Sequence, residues 1–315
     1  YQVAAIAFYN LENLFDTDND PDNPGDDEFT PNGPYNYTPA IYKQKLHNLA
    51  RVIQKLGTKI TPDGPALIGV AEVENRRVLN DLAAEPAISM RQSQIIHFDS
   101  PDGRGIDVGL LYNPSYFTVI EARPLYVNIS SSPEKKGRTR DILYVNGVLA
   151  GDTVHVFVNH WPSRRGGEAA SAPLRAIAAT VCRKVIDSLL NNNPGSRIIV
   201  MGDLNDDPVN NSVTKTLGAT GRQDQLTPGK LYNPWFRFYK QGIGTLAYND
   251  NWNLFDQIII SQGWLHNDEQ YWRYYQAEIF DEPFLKNSFG RYKGYPHRSF
   301  SGNQWINGYS DHLPT

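Results

Sequence analysis

The chain has 315 residues, and its 30 Lys and Arg residues against 34 Asp and Glu residues give a formal net charge of −4. This balance excludes a protein that coats nucleic acid through bulk positive charge, but it leaves open an enzyme in which a metal ion supplies positive charge locally. No run approaches the roughly 18 apolar residues of a membrane-spanning helix, and 12% aromatic residues exclude a disordered chain. The sequence therefore predicts no stable membrane insertion, and no obligate protein partner is evident.

Apolar and β-branched runs bounded by Gly, Pro, Asn or Asp predict strands along the whole chain. These runs are Val3–Phe8, Ala66–Val73, Ile106–Tyr112, Phe117–Val127, Ile142–Ala150, Val154–Asn159, Ile198–Met201 and Phe255–Ile260. Helical periodicity predicts helices from Thr38-Pro39 to Gly57, over Glu74–Ala84 and over Leu174–Leu190. Because no composition shift marks a boundary and no dinucleotide-type glycine fingerprint occurs, we expect one α+β domain over residues 1–315 rather than a Rossmann repeat.

One low-complexity segment, Asp16–Tyr37, is crowded with Asp, Asn, Pro and Gly. Its aspartates at positions 16, 18, 20 and 22 alternate as in a calcium loop, but Pro21 stands where an EF-hand needs its turn glycine. We therefore interpret the segment as a solvated loop, and Ca²⁺ stays an alternative cation for this protein.

The single cysteine, Cys182, excludes an intramolecular disulfide, and its Ala/Val/Ile-rich helical surroundings predict a buried, inert thiol. The chain opens with Tyr1, and Val3–Phe8 has the pattern of a strand rather than of a signal peptide, so we expect a mature or trimmed form. Export from a bacterial-type cell, to the periplasm or the medium, is the localisation we expect, although no sequence pattern establishes it.

Polar and ionisable side chains recur where the predicted strands end, which is how sheet proteins assemble a site at one rim. Each of these residues alone is better explained by a structural role, but the set is what metal-assisted phosphoryl hydrolysis requires. Zinc and serine-hydrolase chemistry are less favoured, because a Cys cluster, a His-Glu-x-x-His motif and a Gly-x-Ser-x-Gly elbow are all missing. The side chains are Asn10, Glu72, His160, Asp203, Asn205, Asp256, Asp311 and His312.

Six ordered blocks of sequence resemble the endonuclease/exonuclease/phosphatase superfamily, which includes deoxyribonuclease and exonuclease III-like enzymes. The blocks, closest in motif to predicted bacterial extracellular nucleases, are spread over nearly the whole chain. They are Phe8–Asn13, Gly69–Val73, Arg104–Gly109, Val158–Trp161, Met201–Asn205 and Ser310–Pro314. The resemblance implies a four-layer α/β/β/α sandwich, with two mixed β-sheets packed face to face and helices outside.

The resemblance also implies roles for the strand-end residues. On the metal side, Glu72 would be the principal ligand of Mg²⁺ or Mn²⁺, with Asn10 as a further ligand or phosphate contact and Asp311 nearby. On the catalytic side, Asp203 would orient or deprotonate the attacking water, and Asn205 would hold water or phosphate.

Two imidazoles would complete the catalytic side of that site. His160 would donate to a phosphate oxygen, and His312 would contact the scissile phosphate while Asp256 orients it. Whether Asp203 or His312 is the base, and whether one metal or two are bound, stays open at this point.

Two arginines are further candidates for contact with the substrate. Arg104 would bind phosphate, oriented by Asp107, although a structural ion pair fits that block as well. Arg164 opens the run Arg164–Gly167 just after His160, which predicts a basic loop beside the site for an anionic substrate.

These residues predict a divalent-metal-dependent phosphoester hydrolase, first of all a phosphodiesterase or nuclease acting on nucleic acid. Little sequence preference is expected, because no basic stripe runs along a helix. A phosphatase or phospholipase of the same fold, acting on inositol, sugar or lipid phosphates, is the alternative. A secreted binding module without turnover is the third hypothesis.

Overall fold

The computed structural model describes residues 2–23, 25–130, 137–266 and 270–315. Its helices are α1 (Pro39–Lys55), α2 (Arg76–Ala83), α3 (Glu168–Asn192) and α4 (Phe236–Lys240). Its strands are β1 (Ala5–Leu14), β2 (Pro65–Val73), β3 (Gln94–His97), β4 (Asp107–Tyr112), β5 (Phe117–Leu125), β6 (Ile142–Leu149), β7 (Asp152–His160), β8 (Arg197–Asp203), β9 (Ala219–Thr220), β10 (Leu231–Tyr232), β11 (Leu246–Tyr248), β12 (Asn251–Asn253), β13 (Asp256–Ile260), β14 (Phe300–Ser301) and β15 (Gln304–Trp305).

Two mixed sheets form the centre of the molecule. The first sheet has the order β1-β2-β4-β3, with β1 parallel to β2 and the other pairs antiparallel. The second has the order β5-β6-β7-β8-β13-β10-β9, and its central strands β7 and β8 are parallel. Strands β2, β7 and β8 carry Glu72, His160 and Asp203 at or near their carboxyl ends, and Asn10 of β1 contacts Asp203, so these residues lie at one rim.

The two sheets pack face to face and helices cover their outer faces. A Cβ added to Gly69 of the first sheet would lie 2.4 Å from Sδ of Met201 in the second, so glycine permits this close approach. One apolar core joins both inner faces to α1 and α2, and a second core lies between α3 and the second sheet. The expected four-layer α/β/β/α sandwich is confirmed. Among the described residues, no helix is long and apolar enough to cross a membrane.

All eight predicted strands are present, with differences of a few residues at their ends. The first strand continues past Phe8 to Leu14, so it carries Asn10 and Glu12 within it. Helix α1 begins as expected, with Thr38 Oγ1 accepting from Ile41 N at 3.3 Å. Helix α3 begins at Glu168 rather than at Leu174 and continues through Pro173, although an interior proline removes one backbone hydrogen bond of the helix.

The segment after β1 is less solvated than its composition predicts. Phe29 and Tyr37 pack with Phe15, Ile106 and Phe300 in a third apolar cluster. Asp16 and Asp26 are also buried. The interpretation as a solvated loop was therefore wrong for this part of the segment, because its few aromatic residues outweigh its many polar ones.

Candidate active site

The second sheet brings three of the predicted residues together at its rim. The parallel register pairs His160 of β7 with Asp203 of β8, and the antiparallel register pairs Asp203 with Asp256 of β13. All three are buried. A Cβ on Gly202 would lie 2.2 Å from Asn159 O, so only glycine lets β7 and β8 end this close together. Nε2 of His160 lies 3.6 Å from Oδ2 of Asp203.

His312 joins this group from the carboxyl-terminal segment. Its Nδ1 lies 2.7 Å from Oδ2 of Asp256, and its Nε2 lies 3.8 Å from Oδ2 of Asp203. Thr245 Oγ1 donates to the same Asp256 oxygen at 2.5 Å, which fixes that carboxylate. The structure therefore brings His312 and Asp256 together, and the contact of His312 with a scissile phosphate stays a prediction.

Asn205 supports Asp203 from within its own turn. Its backbone is left-handed (φ 49°), and its N–H donates to Asp203 Oδ1 at 2.9 Å. Its side-chain amide donates to Trp161 O at 2.9 Å. The structure therefore places Asn205 beside Asp203, where it holds the β8 turn against the end of β7.

The first sheet contributes Asn10 and Glu72. Asn10 Nδ2 donates to Asp203 Oδ2 at 3.1 Å and so bridges the two sheets. Glu72 Oε2 accepts from the backbone N–H of Asn13 at 3.0 Å. Glu12, Asn13 and Glu72 all have left-handed backbones, with φ of 49°, 54° and 59°. Such strain in non-glycine residues is concentrated at functional sites.

The other oxygen of Glu72 is open to a cation. Among the described residues, Oε1 has contacts only with His160 Nε2 at 3.9 Å and Arg104 Nη1 at 3.5 Å, beyond hydrogen-bonding geometry. Asp311 lies beside His312, with its Oδ1 4.0 Å from Nε2, and it is a quarter exposed. Carboxylate and amide oxygens on one rim suit a hard divalent cation such as Mg²⁺ or Mn²⁺, so the residues fit the metal that the resemblance implies.

Burial gives the central groups unusual protonation. Desolvation raises the pKa of Asp203 to about 7, with His312 opposing this shift and Asp256 adding to it. Burial, together with Arg140, Arg104 and His312, holds the pKa of His160 well below its usual range. His160 is therefore a neutral imidazole at pH 7.

His312 has the opposite protonation. Burial lowers the pKa of His312, but the charge and hydrogen bond of Asp256 outweigh burial, so the pKa lies well above its usual range. The site therefore combines one neutral and one cationic imidazole on either side of Asp203. Atoms of Asp203, Asp256 and His312 also lie within 4.8 Å of one another, but the Asp256–His312 hydrogen bond already explains that grouping.

The two predicted arginines differ in their surroundings. Arg104 is half exposed at the rim, where Nη2 donates to Asn13 Oδ1 at 2.6 Å. Asp107 pairs with His97 at 3.0 Å rather than with Arg104. Arg164 is mostly buried, donates to Asn205 O at 3.0 Å, and pairs with Asp207 at 3.1 Å. The role of both arginines in substrate binding stays a prediction.

A network behind the first-sheet rim was missed at the sequence level. Lys45 is fully buried and its Nζ donates to Glu12 O at 2.6 Å and Ser299 Oγ at 2.7 Å. Glu12 in turn accepts from Ser299 N at 2.7 Å and Arg298 Nε at 3.2 Å. The sequence did carry one signal, because Lys45 lies four residues from both Ile41 and Leu49 on the apolar stripe of α1.

The face-to-face sheets and the site at their common rim define a four-layer sandwich protein. A model described as "Endonuclease/Exonuclease/phosphatase family" matches residues 5–315. The chain belongs to this family.

Solved structures of three proteins are similar to it. A functionally unknown conserved protein from Enterococcus faecalis V583 is 17% identical, with a TM-score of 0.55 over 98% of this chain and 96% of that one. Truncated TDP2 from Caenorhabditis elegans is 17% identical, with a TM-score of 0.52 over 86% of this chain and 88% of that one. A mannosyl-6-phosphatase from Bacteroides thetaiotaomicron is 16% identical, with a TM-score of 0.51 over 82% of this chain and 85% of that one. These likenesses establish the fold alone. No curated protein matches the sequence.

Proposed function

We propose that this protein is a divalent-metal-dependent phosphodiesterase, and specifically a nuclease with little sequence preference. The observation that carries the proposal is the position of Asp203, a buried carboxylate between the neutral His160 and the cationic His312. Membership of the endonuclease/exonuclease/phosphatase family supports the reaction class. The negative total charge is compatible with this function, because the positive charge that meets the substrate is local.

Each residue has a task that its surroundings favour. Glu72, with Asn10 and Asp311, would hold the cation, which when bound supplies a Lewis acid for the phosphoryl oxygens. Asp203 accepts a proton from the attacking water, for which a pKa of about 7 is well matched.

The two imidazoles stabilise the negative charge that develops on the phosphoryl oxygens. Neutral His160 donates a hydrogen bond to one non-bridging oxygen. His312, held by Asp256, offers a cationic N–H to another, and such preorganised donors need no rearrangement as the charge grows.

The test is a substrate panel assayed with Mg²⁺, with Mn²⁺ and with EDTA. It contains duplex DNA, single-stranded DNA, RNA, an inositol phosphate and sphingomyelin. We expect cleavage of the nucleic acids, abolished by EDTA. Cleavage confined to the inositol phosphate or to sphingomyelin would replace the nuclease with a phosphatase or phospholipase, and no cleavage of any substrate would contradict the proposal.

A pair of variants tests the metal ligand. Glu72→Gln should lower kcat by about 10²-fold or more, as expected when a group that stabilises transition-state charge is lost. Glu74→Gln is the matched control, because burial and the nearby Asp16 and Asp26 raise the pKa of Glu74 to about 8, so that Gln mimics its neutral form. Equal losses in both variants would argue against Glu72 as the ligand.

A further inference from the structure

Two half-exposed arginines contact neighbouring residues of the first-sheet rim. Arg298 donates from Nε to Glu12 Oε1 at 3.2 Å and from Nη2 to Asp311 Oδ2 at 3.3 Å, and 52% of its side chain is exposed. Arg104 donates to Asn13, the residue after Glu12, and 46% of its side chain is exposed. The two guanidinium groups are therefore anchored on consecutive residues of β1.

Further hydrogen bonds hold the anchor of Arg298 and the turn that carries Arg104. The Glu12 carboxylate is held by Ser299 N as well as by Arg298, and its backbone carbonyl is held by the buried Lys45. The turn that carries Arg104 is closed by Asp102, which accepts from Arg104 N at 2.9 Å and pairs with Arg140 at 3.0 Å. Rigid placement of this kind lowers the ordering cost of binding an anion.

Tyr35 connects the two arginines electrostatically. Burial and Glu28 raise the pKa of its hydroxyl, while the charges of Arg298 and Arg104 oppose that shift. Both guanidinium groups are therefore close enough to one phenol to influence its ionisation.

The arginines keep donors for a ligand. A guanidinium has five N–H donors in a planar fork, and Nη1 of Arg298 has no hydrogen-bond partner among the described residues. Asp311, which Arg298 contacts, is next to His312 in sequence, with 4.0 Å between Oδ1 and Nε2. Arg298 thus contacts the residue that precedes His312, and His312 is proposed to bind the scissile phosphate.

We propose that Arg104 and Arg298 form a subsite for a second phosphate of the substrate, the neighbour of the phosphate that is cleaved. The inference rests on the proposed function, and it names the substrate class more closely as a strand with consecutive phosphates. The planar forks bind phosphate oxygens in pairs, which a single Lys charge does not do. At this part of the rim Arg298 pairs with the carboxylates of Glu12 and Asp311, and Arg104 lies 3.5 Å from that of Glu72.

The experiment compares the thymidine dinucleotides TpT, pTpT and TpTp, which share the internal diester and differ by a terminal phosphate. Dissociation constants are measured by calorimetry in EDTA, so that neither metal nor turnover enters. We expect at least one phosphorylated dinucleotide to bind the wild-type protein about tenfold tighter than TpT, the gain typical of a charged hydrogen bond. Arg298→Gln and Arg104→Gln should each abolish that gain.

Arg291→Gln is the matched control, because Arg291 is an exposed arginine of the same loop whose guanidinium lies over the ring of Tyr292, at 5.6 Å. It should keep the gain in full. Equal affinity of the wild type for all three dinucleotides, or a gain that survives Arg298→Gln, would overturn the subsite. A gain seen only for glucose 1,6-bisphosphate over glucose 6-phosphate would overturn the assignment to a nucleic-acid strand.

Hydrolysis measured separately with Mg²⁺ keeps the two proposals apart. If the affinity gain is present but no dinucleotide or polynucleotide is cleaved, the proposed function fails and the subsite stands. If cleavage occurs without any gain, the subsite fails and the proposed function stands.

Discussion

The two halves of the candidate site are built on different principles. In the second-sheet half, Asp203, Asp256 and His160 lie at the ends of adjacent, regularly paired strands and contact the neighbouring groups directly. In the first-sheet half, Glu12, Asn13 and Glu72 have left-handed backbones, against Asn205 alone among the predicted residues of the other half, and Lys45 and Ser299 hold Glu12 from behind. The position of the reactive carboxylate thus follows from sheet register, while the cation-side conformation has to be held in place by additional contacts.

This difference predicts that changes in the second-sheet half alter the rate while leaving the fold intact. The largest effect is expected for Asp203→Asn, which keeps the shape but removes the base. We expect kcat with Mg²⁺ to fall by about 10³-fold, within the range for lost general-base catalysis. A loss smaller than tenfold would contradict the role of Asp203 as the base.

The same variant should be more stable than the wild type in EDTA. The folded-state pKa of Asp203 is about 7, above its ordinary value of 3.8. The folded state therefore binds the extra proton between these values, and its stability falls as pH rises through that window. In urea unfolding, Asp203→Asn should gain on the order of 2 kcal/mol over the wild type at pH 8 and much less at pH 4. No gain at pH 8 would contradict a buried, ionised carboxylate.

Changes behind the first-sheet half should instead reduce stability. Lys45→Met leaves Glu12 O and Ser299 Oγ as buried acceptors without a donor and removes a buried charge from beside the Glu12 carboxylate. The free energy of unfolding should fall by about 3 kcal/mol. Lys43→Met, on the exposed face of the same helix, should change it by less than about 0.5 kcal/mol. Similar changes in the free energy of unfolding for the two variants would mean that Lys45 does not stabilise the left-handed end of β1.

Asp256→Asn tests how the second-sheet half controls its imidazole. Without the Asp256 charge, burial is left as the main influence on His312, so the ring should lose its proton at a lower pH than in the wild type. NMR titration of the imidazole measures this directly, and kcat should fall by about 10²-fold. An unchanged titration curve would show that Asp256 does not set the charge of His312.

The smallest effect is expected for Arg164→Gln, because Arg164 supports the β8 turn from outside the group of reactive side chains. Its contacts with Asn205 O, Asp207 and the ring of Phe255 at 4.6 Å predict a loss of about 1 kcal/mol in stability. Arg165→Gln, at the exposed neighbouring position, is the control. A tenfold rise in KM with unchanged stability would instead support Arg164 as a substrate contact.

The sequence predicted most of the fold and the residues that end regular strands. Asp203 and Glu72 could be found because apolar runs stop at them and recognisable motifs surround them. The left-handed end of β1 could not be predicted, since neither Glu12 nor Asn13 is the glycine that usually marks such a backbone. The Lys45–Ser299 contact joins residues separated by 254 positions, and no local pattern encodes it. Arg298 was missed for the same reason.

The lone cysteine offers a practical use of this architecture. Cys182 is a fully buried residue of α3, its Sγ lies 3.1 Å from Asn159 Oδ1 of the second sheet, and burial raises the pKa of its thiol above the usual range. A maleimide should therefore not react with Cys182 in the native protein and should label only a cysteine engineered on the surface. Conversely, the rate at which Cys182 reacts reports how often the layer between α3 and the second sheet opens, so the wild-type chain carries its own probe of local unfolding.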